Sequence, residues 1–327
     1  MRRAGVVGGV VLIAVAADAV AMGARLQHFA LTAAVDATGQ PAGRSWLIVG
    51  SDSRADLAAG TDAGGYGSTD QVQGRRADMV LLVRQDGTGT RAVSIPRDMM
   101  VRLRPDLAVR VALALQDGPQ GLADGICNTL GVAVTDMAIV NFRTFAAAVD
   151  AVGGVPVTLP TPIRDRATGL EIGDAGPRTL DGVQALALVR SRQAELLVKG
   201  RWVAESDAVG AQQRADWGGA VLSAFAGRAK SAVGNPVVAQ RLAWTLSGGL
   251  QVSSGLGLAD LIQLRGVDPR VPVLPTDPDP NPRLGLLHAG AGAKNVLREL
   301  GYQGECTTAA MRGYVEDAGG RVRRVDG

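Results

Sequence analysis

Three short stretches of the chain set carboxylates beside guanidinium groups. They are "SDSR" with Asp52 and Arg54, "GRRAD" with Arg76 and Asp78, and "PRD" with Arg97 and Asp98. Asp52 and Asp78 are hard oxygen ligands of the kind Mg2+ accepts, because that ion takes one or two carboxylates and completes its shell with water and phosphate oxygens. Arg54, Arg76 and Arg97, with Arg190, Arg192 and Arg214 further along, offer planar forks that pair bidentately with phosphate. The chemistry in view is the binding and polarising of a phosphate ester. Taken singly, each residue also reads as a solvated strand end or one half of a surface salt bridge. Only their placement by the surrounding elements can make them a set.

Those elements follow from the apolar pattern. "SWLIVG", residues 45–50, is a strand closed by glycine, and "DMVLLV" and "TRAVSI" are two strands joined by "RQDGTG", which carries the Asp-Gly signal of a hairpin. In an antiparallel hairpin the start of one strand lies beside the end of the next. Arg76 and Asp78 should therefore meet Arg97 and Asp98, and the strand at 46–50 should deliver Asp52 and Arg54 to the same rim. Between them, residues 51–75 read as a long polar loop.

Downstream, "GLADGICNTLGV" reads as a helix, "DMAIVNF" as a strand, "FRTFAAAVDAVGG" as a helix stopped by glycines and "VPVTLP" as a strand. "LDGVQALALVRSR", 180–192, reads as a helix turning Val183, Leu186, Ala187 and Val189 to a core, and a further helix covers 206–230. Residues 236–265 read as two helices, "RVPVL" as a last strand and "PTDPDPNPR" as a stiff connection. Alternation of this sort predicts an α/β fold, a layered α-β-α domain with a central mixed sheet.

The N-terminus sets the compartment. Arg2 and Arg3 precede an apolar run from Ala4 to Ala24, long enough to span a bilayer, interrupted only by Asp18. The basic flank keeps residues 1–3 in the cytoplasm, makes 4–24 a transmembrane anchor and exports the rest. Cleavage after "AVA", 19–21, is the rival reading. Residues 25–44 then read as a linker, 45–275 as the extracytoplasmic catalytic domain and 276–327 as a C-terminal tail. Outside the cytoplasm Cys127 and Cys306 can form a disulfide; two buried thiols are the alternative.

Composition narrows the function. The net charge of +3 suits an anionic ligand or a membrane surface, while 3% aromatic content argues against stacking of nucleic-acid bases. His28 and His288 are too far apart to suggest zinc or a histidine-based nucleophile, and neither a Walker loop nor GxGxxG follows a strand.

In order, "LIVGSDSR", "GRRADMVLLV", "SIPRD", "VNFRTFAAAVDAVGGVPVTLP" and "LDGVQALALVRSR" resemble the LytR-CpsA-Psr family of cell-envelope proteins, over residues 46–230 in detail. The resemblance implies a magnesium-dependent phosphotransferase that takes a polyprenyl-pyrophosphate-linked glycan and attaches its glycan phosphate to peptidoglycan. It implies Asp52 and Asp78 at the metal and Arg54, Arg76, Arg97, Arg190, Arg192 and Arg214 around the pyrophosphate; Arg76 and Arg97 are the candidate catalytic arginines, and Asp98 or Asp78 the candidate to assist deprotonation of the acceptor hydroxyl. Leu113 and Leu115, in the segment 101–134, are candidate lining for a lipid slot, with ordinary core as the plainer expectation. This chain departs from the family pattern at Met79 and Met99, where Thr or Ser is usual. It also departs at Arg110, which stands alone where Lys-Ile-Asn is common, and at "WGG", 217–219, where Arg-Gln-Gln is usual. Hydrolysis of the same lipid pyrophosphate and non-catalytic binding of lipid or glycan are therefore the alternatives to transfer. A transcription factor conflicts with the exported topology.

Overall fold

The computed structural model describes residues 18, 20–32, 34, 36–38, 43–52, 75–191, 193–204, 207–232, 234–266, 271–281, 284–302, 305–316 and 322–324. A helical stretch at 20–25 (α1) leads to β1 (Gln27–Phe29), β2 (Asp36–Thr38), β3 (Arg44–Ser51), β4 (Ala77–Asp86) and β5 (Gly89–Ile95). A second hairpin, β6 (Met100–Arg104) and β7 (Leu107–Arg110), precedes α2 (Val111–Ala114), α3 (Gly118–Leu130), β8 (Asp136–Asn141) and α4 (Phe142–Ala151). Next come β9 (Val155–Leu159), β10 (Ile163–Asp165), β11 (Leu170–Ile172), β12 (Gly176–Leu180), α5 (Gly182–Arg190), β13 (Glu195–Val198) and β14 (Arg201–Ala204). The remainder holds α6 (Asp207–Ala232), α7 (Pro236–Ser247), β15 (Leu250–Ser253), α8 (Leu258–Ile262), β16 (Thr276–Pro278), β17 (Leu287–Ala289), α9 (Ala293–Glu299) and β18 (Glu305–Thr307).

The central sheet runs β1-β15-β8-β3-β4-β5. It is mixed: β1 with β15 and β3 with β8 are parallel, and the other neighbours are antiparallel. Alternate residues leave opposite faces of a strand, and both faces here are apolar. On one face Leu47, Val49, Leu82, Val93 and Ile95 pack with Leu122 and Ile126 of α3 and Leu297 of α9. On the other, Trp46, Val83, Ala138 and Val252 pack with Leu246 of α7 and Leu261 of α8. The layering is therefore α-β-α, as the strand and helix alternation predicts. A third cluster joins Val149 of α4, Val157 of β9, Leu188 of α5 and Val221 of α6.

Two helices owe their placement to local chemistry. The Asn141 side chain caps α4 by accepting from the Thr144 N–H at 2.8 Å, and Asp181 with Gln184 forms a capping box on α5. The two helices meet at Gly182, where any Cβ would lie 2.0 Å from the Ala146 carbonyl oxygen. Only glycine permits that approach.

Several expectations are corrected. Gln27–Phe29, placed in a linker by composition, forms the edge strand β1 and pairs in parallel with β15. The two helices expected across 236–265 are present, but β15 lies between them as an interior strand of the sheet. "RVPVL" makes one bridge, Val273 to Ser94, instead of a strand, and the proline-rich connection contains β16, paired with β17. On α5, Val183 is exposed while Ala185 and Leu188 are buried, because the helix packs against α4 on one side and α6 on another. Leu115 is ordinary core, within the cluster under α3.

The C-terminal segment is built in. Ala293, Leu297, Leu300 and Tyr302 enter the main core, and Cys306 bonds Cys127 of α3 with Cα atoms 5.0 Å apart. Among the described residues no helix is long and apolar enough to cross a membrane, and most of the apolar run lies outside them.

Candidate functional site

The rim expected from the hairpin forms. At the end of β3, Ser51 stands opposite Ala77 of β4, and the buried Asp52 donates its backbone N–H to the Arg76 carbonyl at 2.9 Å. Gly50 stands opposite Met79, so one residue of β4, Asp78, is left over between the two pairs. That bulge resets the alternation: Ala77 and Val80 both reach the same core cluster. Bulges re-aim side chains in this way beside functional sites. Asp78, half-buried, accepts from the Arg97 guanidinium, which arrives two residues after β5.

Arg97 Nε is 3.7 Å from Asp98 Oδ2, and Arg110 Nε is 3.8 Å from Asp98 Oδ1. The Arg110 contact follows from the β6–β7 hairpin, which returns the chain so that Ala112 N–H donates to the Arg97 carbonyl at 2.9 Å. Arg75 donates to the Gln251 side chain at the start of β15. Arg76 is half-buried, and its Nε is enclosed without a hydrogen-bond partner among the described residues. A buried guanidinium N–H left in that state is costly unless a ligand completes it.

The parallel pairing of β3 and β8 adds a fourth segment. Ser51 lies beside Asn141, so Phe142, the first residue of α4, follows on at the same edge as Asp52. The Arg190 guanidinium, at the end of α5, lies 4.8 Å from the centre of the Phe142 ring. A planar cation over an aromatic face is attracted by the ring and so held in place.

The structure thus gathers Asp52, Arg76, Asp78, Arg97 and Asp98, and brings Arg190 to the same end of the sheet. Arg54 and Arg192 lie outside the described residues, and Arg214 falls on α6. Sequence reasoning missed Arg75, Asn141, Phe142 and Gln251, and gave Arg110 little weight. The tandem "RR" and the Asn-Phe that begins α4 were visible, but nothing local ties them to the rim. Among the departures, Met99 is fully buried in the main core, Met79 packs against Gly50, and Trp217 is half-buried against the α4–α5–α6 cluster.

The profile of the LytR_cpsA_psr family matches residues 10–202. The chain belongs to the LytR-CpsA-Psr family. Within the family it is 34% identical over 158 residues to the probable cell wall biosynthesis protein LcpB of Corynebacterium glutamicum. That match takes in 47% of this chain but only 37% of LcpB, so the relative's whole activity does not come across with it. A LytR-Csp2A-Psr enzyme from Actinomyces oris superposes with a TM-score of 0.70 at 30% identity, over 85% of this chain and 97% of that one. A structure of TagT bound to LI-WTA shares the fold at 22% identity and a TM-score of 0.54, covering 84% of this chain and 98% of TagT. LytR-CpsA-Psr proteins are cell-envelope proteins of wall biosynthesis, and this chain carries the family's mixed-sheet architecture.

Proposed function

We propose that this chain transfers a glycopolymer phosphate from a polyprenyl-pyrophosphate donor onto peptidoglycan outside the membrane. The observation that carries the reading is the convergence of Arg76, Arg97 and Arg190 on the end of the sheet that bears Asp52 and Asp78. A diphosphate would complete those donors. Arg54, Arg192 and Arg214 join the pyrophosphate clamp on the family motifs alone.

The reaction balances simply. An acceptor hydroxyl oxygen attacks the sugar-linked phosphorus, a new P–O bond forms, and the bond from that phosphorus to the bridging oxygen breaks. Polyprenyl phosphate departs with the bridging oxygen and its electron pair. Arg76 and Arg97 are placed to offset charge that grows on the phosphoryl and leaving oxygens. The hydroxyl proton passes to Asp98, whose side chain is 42% exposed and flanked by guanidinium groups at more than 3.5 Å, and from there to solvent.

The donor set fits Mg2+. Asp52 and Asp78 offer two carboxylates on neighbouring strand ends, and no group of three or more carboxylate, histidine or cysteine ligands gathers among the described residues. Such a site suits an ion that fills its shell with water and phosphate rather than one needing a protein cage. When bound, Mg2+ would neutralise pyrophosphate charge and ease departure of the lipid phosphate.

A second reading, binding without transfer, is favoured by Trp217–Gly219, which replace the Arg-Gln-Gln common in the family, with Trp217 packed against the apolar cluster of α4, α5 and α6. One experiment separates the readings: turnover of a synthetic polyprenyl-pyrophosphate glycan by the whole chain in detergent, with and without Mg2+ and peptidoglycan fragments. Transfer requires free polyprenyl phosphate and glycan on the acceptor, lost in Asp78→Ala and Arg97→Ala. Polyprenyl phosphate without glycosylated acceptor indicates a hydrolase. Tight binding with no cleavage sinks the enzyme reading.

A further inference from the structure

Asp165, the last residue of β10, carries a carboxyl group that is only 1% exposed. Burying a carboxylate is costly unless hydrogen bonds replace its water. Its Oδ1 accepts from the Ala167 N–H at 2.9 Å, which closes the turn toward β11. Its Oδ2 reaches much further along the chain, accepting from the Ser191 hydroxyl at 2.7 Å and from the Gln193 N–H at 2.9 Å. A turn alone needs only the first of these bonds. The other two grip the residues that directly follow Arg190 and that flank Arg192 in the sequence.

That grip falls where the chain changes conformation. The helix α5 ends at Arg190, and Ser191 takes an extended backbone with φ −59° and ψ 124°. Beyond a helix end the backbone no longer holds itself by helical hydrogen bonds, so its course must be set by other partners. Ser191 is buried and seated on Asp165. The support belongs to a sheet, because β10 pairs with β13 through Ile163 and Arg164, and Leu197 N–H donates to the Pro162 carbonyl at 3.1 Å. Arg190 is thereby held at two points: its backbone through Ser191 to β10, and its guanidinium against the Phe142 ring at the start of α4.

We propose that Asp165 is a positioning residue of the phosphate clamp: by holding Ser191 and Gln193 it fixes the end of α5, and with it the placement of Arg190 against the donor pyrophosphate. The inference rests on the proposed transfer reaction. A carboxylate suits the task because one of its oxygens can accept from two donors at different points of the chain. An arginine fixed in advance also loses less side-chain freedom when the diphosphate arrives.

The test is a double-mutant cycle on the whole chain in detergent, read by calorimetric binding of inorganic pyrophosphate and by the thermal midpoint. Ser191→Ala removes the hydroxyl and leaves Asp165 the Gln193 and Ala167 N–H groups, so the domain should still fold. It should weaken pyrophosphate binding about three- to tenfold, the effect of one hydrogen bond of ordinary strength. Arg190→Gln should itself bind more weakly than wild type, and adding Ser191→Ala to it should cause no further loss, because the effect travels through that arginine. Asp165→Asn should act in the same direction with a larger loss; should it fail to fold, Ser191→Ala alone decides. Suppose instead that Ser191→Ala lowers the thermal midpoint at wild-type affinity, or weakens binding equally in both backgrounds. Asp165 is then a structural anchor only, and the inference falls while the transfer reading stands. Absence of pyrophosphate binding in wild type, or wild-type affinity in Arg190→Gln, removes the clamp and the inference together.

Discussion

The two ends of the central sheet use the same residue types for opposite purposes. At the end holding the start of β3, Arg44 meets Asp136 at 2.6 Å and Asp260 at 2.8 Å, while Asp86 receives Arg91 at 2.7 Å and Arg84 at 3.4 Å. Three arginines there face three aspartates. At the rim, Arg75, Arg76, Arg97, Arg110 and Arg190 face Asp52, Asp78 and Asp98 among the described residues. One end is neutralised from within, and among the described residues the other gathers more guanidinium groups than carboxylates. Hydrogen bonding to Asp136 leads the causes that raise the Arg44 pKa, with Asp260 adding to it and burial working against both. Paired charges thus close one edge of the scaffold, and the other edge holds the arginines proposed to clamp the pyrophosphate.

The contrast can be broken most sharply at Arg97. Alanine there should cut turnover by about 100- to 1000-fold, the usual cost of removing a charge-stabilising donor. Its thermal midpoint should hardly move, because a partly exposed ion pair contributes only about 0–1 kcal/mol. The mirror experiment is Asp136→Ala, which leaves the half-buried Arg44 with Asp260 alone and should lower unfolding free energy by about 1–2 kcal/mol in urea titration. Turnover per folded molecule should be unchanged. If the two variants exchange behaviours, the division between the edges is wrong.

Arg76→Gln sharpens the picture at smaller scale. Inorganic pyrophosphate should bind roughly tenfold more weakly by calorimetry, a loss of about 1.4 kcal/mol. The smallest effect concerns acid. The Thr88 hydroxyl and N–H, followed by Arg91 and Arg84, hold the Asp86 carboxyl down to about 2 from 3.8. A carboxyl with a depressed folded-state value stabilises the fold above its unfolded value. Its contribution should be complete above about pH 4 and fade as pH falls toward 2, and Asp86→Asn should flatten that part of the stability profile.

Much of this was readable from sequence wherever a local pattern carried the information. Short apolar runs in 45–50 and 78–95 predict the three adjacent strands, and antiparallel geometry then predicts that Asp52, Asp78 and Arg97 converge. What stayed hidden depends on register or on tertiary neighbours. "LQVS" is four residues long and flanked by glycines and serines, so only its pairing with β8 and β1 makes it an interior strand. Val183 fits the helical stripe as well as Leu188 does, and which of them is buried depends on where α4 and α6 lie. Phe142 becomes a platform for Arg190 only because β8 runs parallel to β3. The bulge at Asp78 leaves no mark in the sequence, since Ala77 and Val80 could alternate with their neighbours in an unbroken ladder.

The Cys127–Cys306 bond also bears on how the protein is made. Its cysteines are 179 residues apart, one in α3 and the other on β18, which pairs with β2. The second sulfur exists only after the segment that separates it from Cys127 has been made. Closure of the domain is thus a late event that needs an oxidant, and a cell keeping its thiols reduced would deliver the protein unfastened. Synthesis, delivery to an oxidising compartment and fastening must follow in that order, so the host used to produce the protein decides whether its C-terminal segment is locked to α3.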